Sequence, residues 1–238
     1  MTGGSNHETN NSQSACITTP VPTFISHGGQ CGAALSDETP FTPNDPCIGG
    51  SWEHNRHLTA NSLVGSLHAS GGGPNHNDFD SLLCACLPCD PTSQGVVGDV
   101  CNPKDKICGP SPAAAPANKI CFSGVGDFTF TTGPRTVKAV FRVDIEDHGE
   151  GNSNANPLPR DRYRMRIWLL DPLCGRDPDP ANNMALRMGA SADPAQIANV
   201  LTTENLKDPT MPAPDIDDGG TMTQGNHQIH FATGATCQ

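Results

Sequence analysis

Arg135-Thr-Val-Lys-Ala-Val-Phe-Arg-Val-Asp-Ile-Glu146 and Asp161-Arg-Tyr-Arg-Met-Arg-Ile-Trp-Leu-Leu170 both alternate with period two. In the first stretch Val137, Ala139, Phe141, Val143 and Ile145 point one way, and Lys138, Arg142, Asp144 and Glu146 the other. In the second, Tyr163, Met165, Ile167 and Leu169 oppose Arg162, Arg164 and Arg166. Successive side chains of a strand project to opposite faces, so this pattern marks strands whose apolar sets lie in a sheet core. The charged sets are complementary. Pairing the two stretches as a long antiparallel hairpin sets the three arginines across from Asp144 and Glu146, and pairs of this kind each contribute ~0.2–1 kcal/mol to the choice of register. Local neutralisation by these acids is a simpler reading of the arginines than a basic ligand-binding face.

Outward from this hairpin the chain offers further short strands at Ser51–Leu58, Ser62–Ala69, Ile120–Phe130 and Asn226–Phe231. Asp78–Ala85 reads as one or two helical turns with Asp78 as N-cap, and Asp193–Asn205 as a helix started by Asp193-Pro194. Residues 16–50, 86–118 and 171–220 are punctuated by Gly and Pro and read as loops. Gly (25) and Pro (22) are abundant and aromatic residues are only 5%, which also implies many turns and short elements. The expected fold is all-β: an antiparallel β-sandwich or open barrel with long disulfide-stapled loops and one or two short helices. Residues 1–15 read as a disordered arm. Residues 16–238 read as a single β domain carrying a Cys-rich insertion at about 84–121.

Eleven cysteines shape the rest of the reading: Cys16, Cys31, Cys47, Cys84, Cys86, Cys89, Cys101, Cys108, Cys121, Cys174 and Cys237. Reducing compartments seldom carry such a load, so the chain reads as secreted or extracellular and held by disulfides. Spacing does not give the pairing, and the odd count leaves at least one cysteine without an intrachain partner. Hydrophobic residues make up only 35% of the chain, and covalent staples would offset the entropy that so modest a core cannot. Met1–His7 is polar and carries no signal-peptide pattern, so secretion implies a leader already removed or another export route.

The net charge of -11 argues against a broad basic face for nucleic acid or an anionic membrane. No stretch approaches the ~18 continuous apolar residues of a membrane-spanning helix. The remaining partner classes are an extracellular protein, a polysaccharide, or further copies of this chain.

Three motifs of the second half occur in order: the acidic loop Glu146-Asp-His-Gly-Glu-Gly151, the strand Asp161-Arg-Tyr-Arg-Met-Arg-Ile167, and the terminal Gly225-Asn-His-Gln-Ile-His230. Over about residues 119–231 this resembles the bacterial extracellular post-COAP domain. That module commonly shows a Gly-Glu-Pro-Gly loop, an Asp-x-Phe/Tyr strand and a Gly-Asn-Ile-Gln-Ile-His strand. The chain departs from the pattern in Glu150-Gly151-Asn152, which lacks the proline, and in His227, which stands at the usual Ile. The resemblance implies a secreted β domain accompanying other extracellular modules, and it transfers no catalytic residue.

Histidine is the leading candidate for a site. His54, His57, His68, His76, His227 and His230 are the possible ligands of zinc or copper. On a strand, residues three apart point to opposite faces, so His54 with His57, or His227 with His230, cannot readily chelate one ion. His230 is expected to alternate away from Ile229. Asp215-Ile-Asp217-Asp218-Gly219-Gly220 opens like a calcium loop but lacks the later glutamate of an EF-hand. Cys86-Leu-Pro-Cys89 has no following helix of the thioredoxin kind. Gly-x-Ser-x-Gly and P-loop motifs do not occur. The expected role is therefore binding, adhesion or surface assembly without catalysis. The alternative is a secreted His-based metal-binding protein or metalloenzyme.

Overall fold

The structure, a computed structural model, describes residues 2–7, 12–18, 41, 43–44, 48–57, 63–71, 77–86, 96–97, 119–133, 135–147, 161–191 and 211–228. For residues 2–7, 12–18, 83–86, 96–97, 221 and 223–228 the description is of the backbone. The described strands are β1 (Thr2–His7), β2 (Ser12–Thr18), β3 (Gly49–Arg56), β4 (Gly65–Gly71), β5 (Phe79–Cys86), β6 (Val96–Val97), β7 (Lys119–Phe130), β8 (Thr136–Glu146), β9 (Arg162–Leu169) and β10 (Ile216–Gln228). Among the described residues one α-helix, α1 (Met184–Ala190), follows two 3-10 turns at Pro172–Cys174 and Pro180–Asn183.

The strands form one antiparallel sheet in the order β4-β3-β2-β1-β10-β9-β8-β7-β5-β6. β4 also pairs with the C-terminal half of β7, from Gly65 opposite Phe130 to His68 opposite Asp127. That contact brings the first eight strands of the order back on themselves as a barrel. β5 takes the N-terminal half of the same edge of β7 and, with β6, splays away from the ring. Gly124 stands at this fork. Val125 N–H donates to the Asp78 carbonyl at 2.7 Å, and a Cβ on Gly124 would strike that same carbonyl.

β8 and β9 pair as their alternation predicts. Phe141 faces Ile167, Val143 faces Met165, and Glu146 faces Arg162. The apolar faces of these strands pack inside the barrel with Trp52, Leu67, Phe122, Phe128, Ile216 and Met222. Trp52, Phe79, Phe122 and Phe141 meet mainly edge to face, with Trp52 and Phe141 closest at 4.8 Å between centroids. On the outer face α1 covers a second apolar cluster of Val125, Val140, Trp168, Leu170, Leu186 and Ala190.

Four expectations are corrected. Asp78–Ala85 is not helical: it enters strand β5, and the Asp78 carboxylate accepts from Ser70 N–H instead of capping a helix. A bulge between Phe79 and Ser81 breaks the alternation and made the segment look helical. The bulge turns Asp80 toward α1, where Arg187 holds it through two bonds of 2.9 and 2.6 Å. Residues 1–15, read as an arm, contribute β1 and most of β2 to the barrel wall. The last strand begins at Ile216, ten residues before Asn226. The segment 171–220, expected as loop, holds the two 3-10 turns and α1 as well as the start of β10. The helix expected over 193–205 lies outside the described residues, as do 87–95 and 98–118 of the Cys-rich insertion.

Candidate functional site

Two buried polar clusters, one on each face of the sheet, stand out among the described residues. Inside the barrel, β3 presents Trp52, His54 and Arg56, β9 presents Tyr163, and β10 presents Asp218. His54 is fully buried and stacks on Tyr163 with rings 10° from parallel. His54 Nδ1 lies 3.1 Å from the Tyr163 hydroxyl, and Nε2 lies 3.6 Å from Asp218 Oδ2. Arg56 donates to Asp218 from Nε at 2.5 Å and from Nη2 at 3.2 Å, and its Nη1 donates to the Leu63 carbonyl.

The charge states follow from this geometry. Burial lowers the His54 pKa below its ordinary 6.5 and outweighs the pull of Asp218, so the ring is neutral near pH 7. Burial pushes Tyr163 well above 10, so its phenol stays protonated. Burial alone would raise Asp218, but the neighbouring His54 ring and the hydrogen-bonded Arg56 bring it below its ordinary value. Asp218 is therefore a carboxylate whose charge Arg56 neutralises. A general base needs access to substrate, and none of His54, Tyr163 or Asp218 is more than 4% exposed. The cluster acts as a cross-barrel strut.

The outer face of β7–β10 carries the second cluster. Arg142 lies directly opposite Arg166, and Asp144 opposite Arg164. Arg142 holds Asp144, two residues along its own strand, through bonds of 3.0 and 3.1 Å. Arg164 reaches diagonally to Asp217 with bonds of 2.8 and 2.5 Å, although Asp217 lies directly opposite Arg166. Lys119 Nζ donates to Glu146 at 3.2 Å, and Arg162 stands 3.9 Å from the same carboxylate. Lys119, Arg142 and Asp144 are at most 1% exposed. Cys121, opposite Asp144, is also buried, and burial pushes its thiol up to about 12. Burial would raise Asp144, but Arg142 first, then Lys119 and Arg166, hold its carboxyl down at about 2.

The residues proposed from sequence are dispersed. His54 is interior, whereas His68 on β4 is exposed and opposite Glu53, on the other face. His57 is exposed just beyond β3. His76, His230 and the His227 side chain lie outside the description; the His227 backbone pairs with Gly3. Asp215 accepts from Leu169 N–H and Arg176, Asp217 from Arg164, and Asp218 from Arg56. Asp217 and Asp218 alternate along β10, so these aspartates occupy two faces of a strand and engage three arginines. Glycine at 219 serves close strand approach, since a Cβ there would meet the Tyr163 carbonyl and lie 2.6 Å from Arg164 Cα. Among the described residues no three His, Cys, Asp or Glu side chains converge as a metal site.

Cys121 and Cys174 are free thiols, the first buried and the second exposed. Two cysteines are thus unpaired where the sequence count required only one. Removing these two from eleven leaves nine, again odd, so at least one further cysteine lacks an intrachain partner. The barrel cluster was missed from sequence because Arg56, Tyr163 and Asp218 sit in different segments. Its local signal was Trp52-x-His54-x-Arg56, an alternation of bulky polar side chains on one face of a strand.

No family model, no curated protein and no solved structure matches this chain. No helix among the described residues is long and apolar enough to cross a membrane.

Proposed function

We propose that the chain is a secreted, non-enzymatic β-barrel protein whose role is binding, adhesion or surface assembly. The supporting observation is that arginine occupies the carboxylates that would otherwise serve acid–base or metal chemistry: Asp80 with Arg187, Asp144 with Arg142, Asp215 with Arg176, Asp217 with Arg164 and Asp218 with Arg56. Pairs of this kind specify a rigid scaffold. The load of eleven cysteines supports an oxidising compartment. The resemblance of residues 119–231 to the post-COAP module agrees with the same reading. The partner is an extracellular protein, a polysaccharide, or another copy of the chain.

Metal analysis of natively purified full-length protein, paired with light scattering before and after chelation, tests this reading. The expected result is metal well below one ion per chain and a particle mass indifferent to chelator. Stoichiometric zinc or copper that resists dialysis would reject it and establish the metalloprotein alternative.

A further inference from the structure

We propose that the outer face of β8 and β9 is a binding site for a small monovalent inorganic anion of chloride size, held by the Nε–Nη2 edge of the Arg166 guanidinium.

Arg142 and Arg166 are direct cross-strand partners, and like charges so placed repel. Both are buried, at 1% and 6% exposure, in a setting that screens them poorly. One carboxylate, Asp144, lies between them, and Arg142 takes both of its oxygens. Asp217, the cross-strand partner of Arg166, is turned away and bound to Arg164 by two bonds. Arg166 retains only an ionic approach to Asp144 Oδ2, 3.5 Å from Nη2. Its Nε and Nη2 atoms are buried and have no hydrogen-bond partner among the described residues.

Those two nitrogens lie on one edge of the guanidinium fork, the edge that carboxylates and other anions engage in bidentate fashion. A buried cation without an acceptor is costly, and buried polar groups of this kind signal a bound ion or water. An anion is favoured over water by charge: two guanidiniums share one carboxylate, and the neighbouring Cys121 thiol is held protonated. With Arg166 so enclosed, the ligand is a small ion and not a polymer.

Thermal unfolding of the full-length chain is compared in sodium chloride, sodium bromide and sodium fluoride at fixed ionic strength and pH. Chloride and bromide are expected to stabilise saturably, lowering the unfolding equilibrium constant about 100-fold when the anion stands at 100 times its dissociation constant. Arg166→Gln keeps the length of the chain near the backbone and removes the charge. It should abolish the difference between anions while keeping general salt effects. Equal unfolding in the three salts, or an anion dependence surviving in Arg166→Gln, overturns the proposal. Should that variant not fold, crystals of the unmodified chain in bromide decide. An anomalous peak within hydrogen-bond distance of Arg166 Nε and Nη2 supports it, and a water in that place overturns it.

Discussion

Arg56 grips Asp218 with two guanidinium nitrogens, at 2.5 Å from Nε and 3.2 Å from Nη2, and so ties β3 to β10 through the barrel interior. The two strands are not sheet neighbours, since β2 and β1 lie between them in the wall. The bond is therefore a strut across the barrel. Removing one partner leaves the other charge buried and unmatched, which costs about 3–5 kcal/mol. Arg56→Met should show this loss in urea unfolding. Arg56→Met combined with Asp218→Leu should recover a large part of it, because apolar replacements of similar volume are well tolerated in such pairs. A double variant as unstable as the sum of both singles would contradict the strut.

Acid should weaken the fold in two stages. His54 has its folded pKa below 6.5, so the unfolded chain binds the extra proton and stability falls as pH drops through 6.5. Asp144 and Asp218 have folded values below 3.8; their contribution is complete above 3.8 and is lost as pH falls through the folded values, about 2 for Asp144. Urea midpoints measured from pH 8 to pH 2 should therefore decline in both windows. His54→Gln should flatten the upper decline and leave the lower one. An unchanged upper decline in that variant would assign it to another histidine.

Phe141 and Lys138 sit on opposite faces of β8 and should respond differently to truncation. Phe141 is fully buried among Trp52, Phe79 and Phe122. Phe141→Ala should cost about 3–5 kcal/mol through the cavity it leaves. Lys138 pairs with Asp127 at 2.8 Å, but both side chains are more than a third exposed, so Lys138→Ala should cost about 0–1 kcal/mol. Similar losses from the two substitutions in denaturant unfolding would contradict the facing.

Alternation made β8 and β9 legible because one residue in two is strongly apolar; of the three arginines expected across from acids, Arg162 and Arg164 face Glu146 and Asp144, while Arg166 faces Arg142. Alternation could not show that the second face is buried as well, for what covers a face comes from elsewhere in the chain. Val140 and Trp168 are outer-face residues under α1, whereas Arg142 and Arg166, one pair further along, are enclosed with their charges. β1 was illegible for a different reason: Thr-Gly-Gly-Ser-Asn-His has no apolar period, and its place in the wall is set by pairing with the equally polar end of β10. Asp217-Asp218-Gly219-Gly220 imitates a calcium loop locally, but arginines on β3 and β9, distant in sequence, claim both carboxylates.

The fork in β7 gives a prediction about backbone packing. A side chain at Gly124 runs into the Asp78 main chain, with Phe79 Cα only 2.9 Å away. Gly124→Ala should destabilise by about 1–3 kcal/mol, as overpacking does. The Val125 N–H bond to Asp78 should also loosen, so hydrogen exchange at Val125 should quicken relative to Phe141, which lies deep in the paired part of β8. Unchanged exchange at Val125 with unchanged stability would show that β5 has room to move away.

Thiol counting separates the two free cysteines and bounds the disulfides together. Cys174 is exposed, although partial burial raises its pKa, whereas Cys121 is enclosed and held up at about 12. The thiolate is the reactive species, so a thiol both buried and that basic does not react while the fold is intact. With nine cysteines left and an odd number among them, the chain can hold at most four intrachain disulfides. A chain so rich in loops is expected to use at least four, and the two bounds meet. Ellman titration of the native protein should therefore find Cys174 reacting at once and Cys121 silent. Unfolding without reductant should expose Cys121, and non-reducing peptide mapping should find four intrachain bridges that include neither residue. Cys121 recovered in a bridge, or modified at the rate of Cys174 in the native state, would sink the assignment of a sealed thiol beneath Arg142 and Asp144.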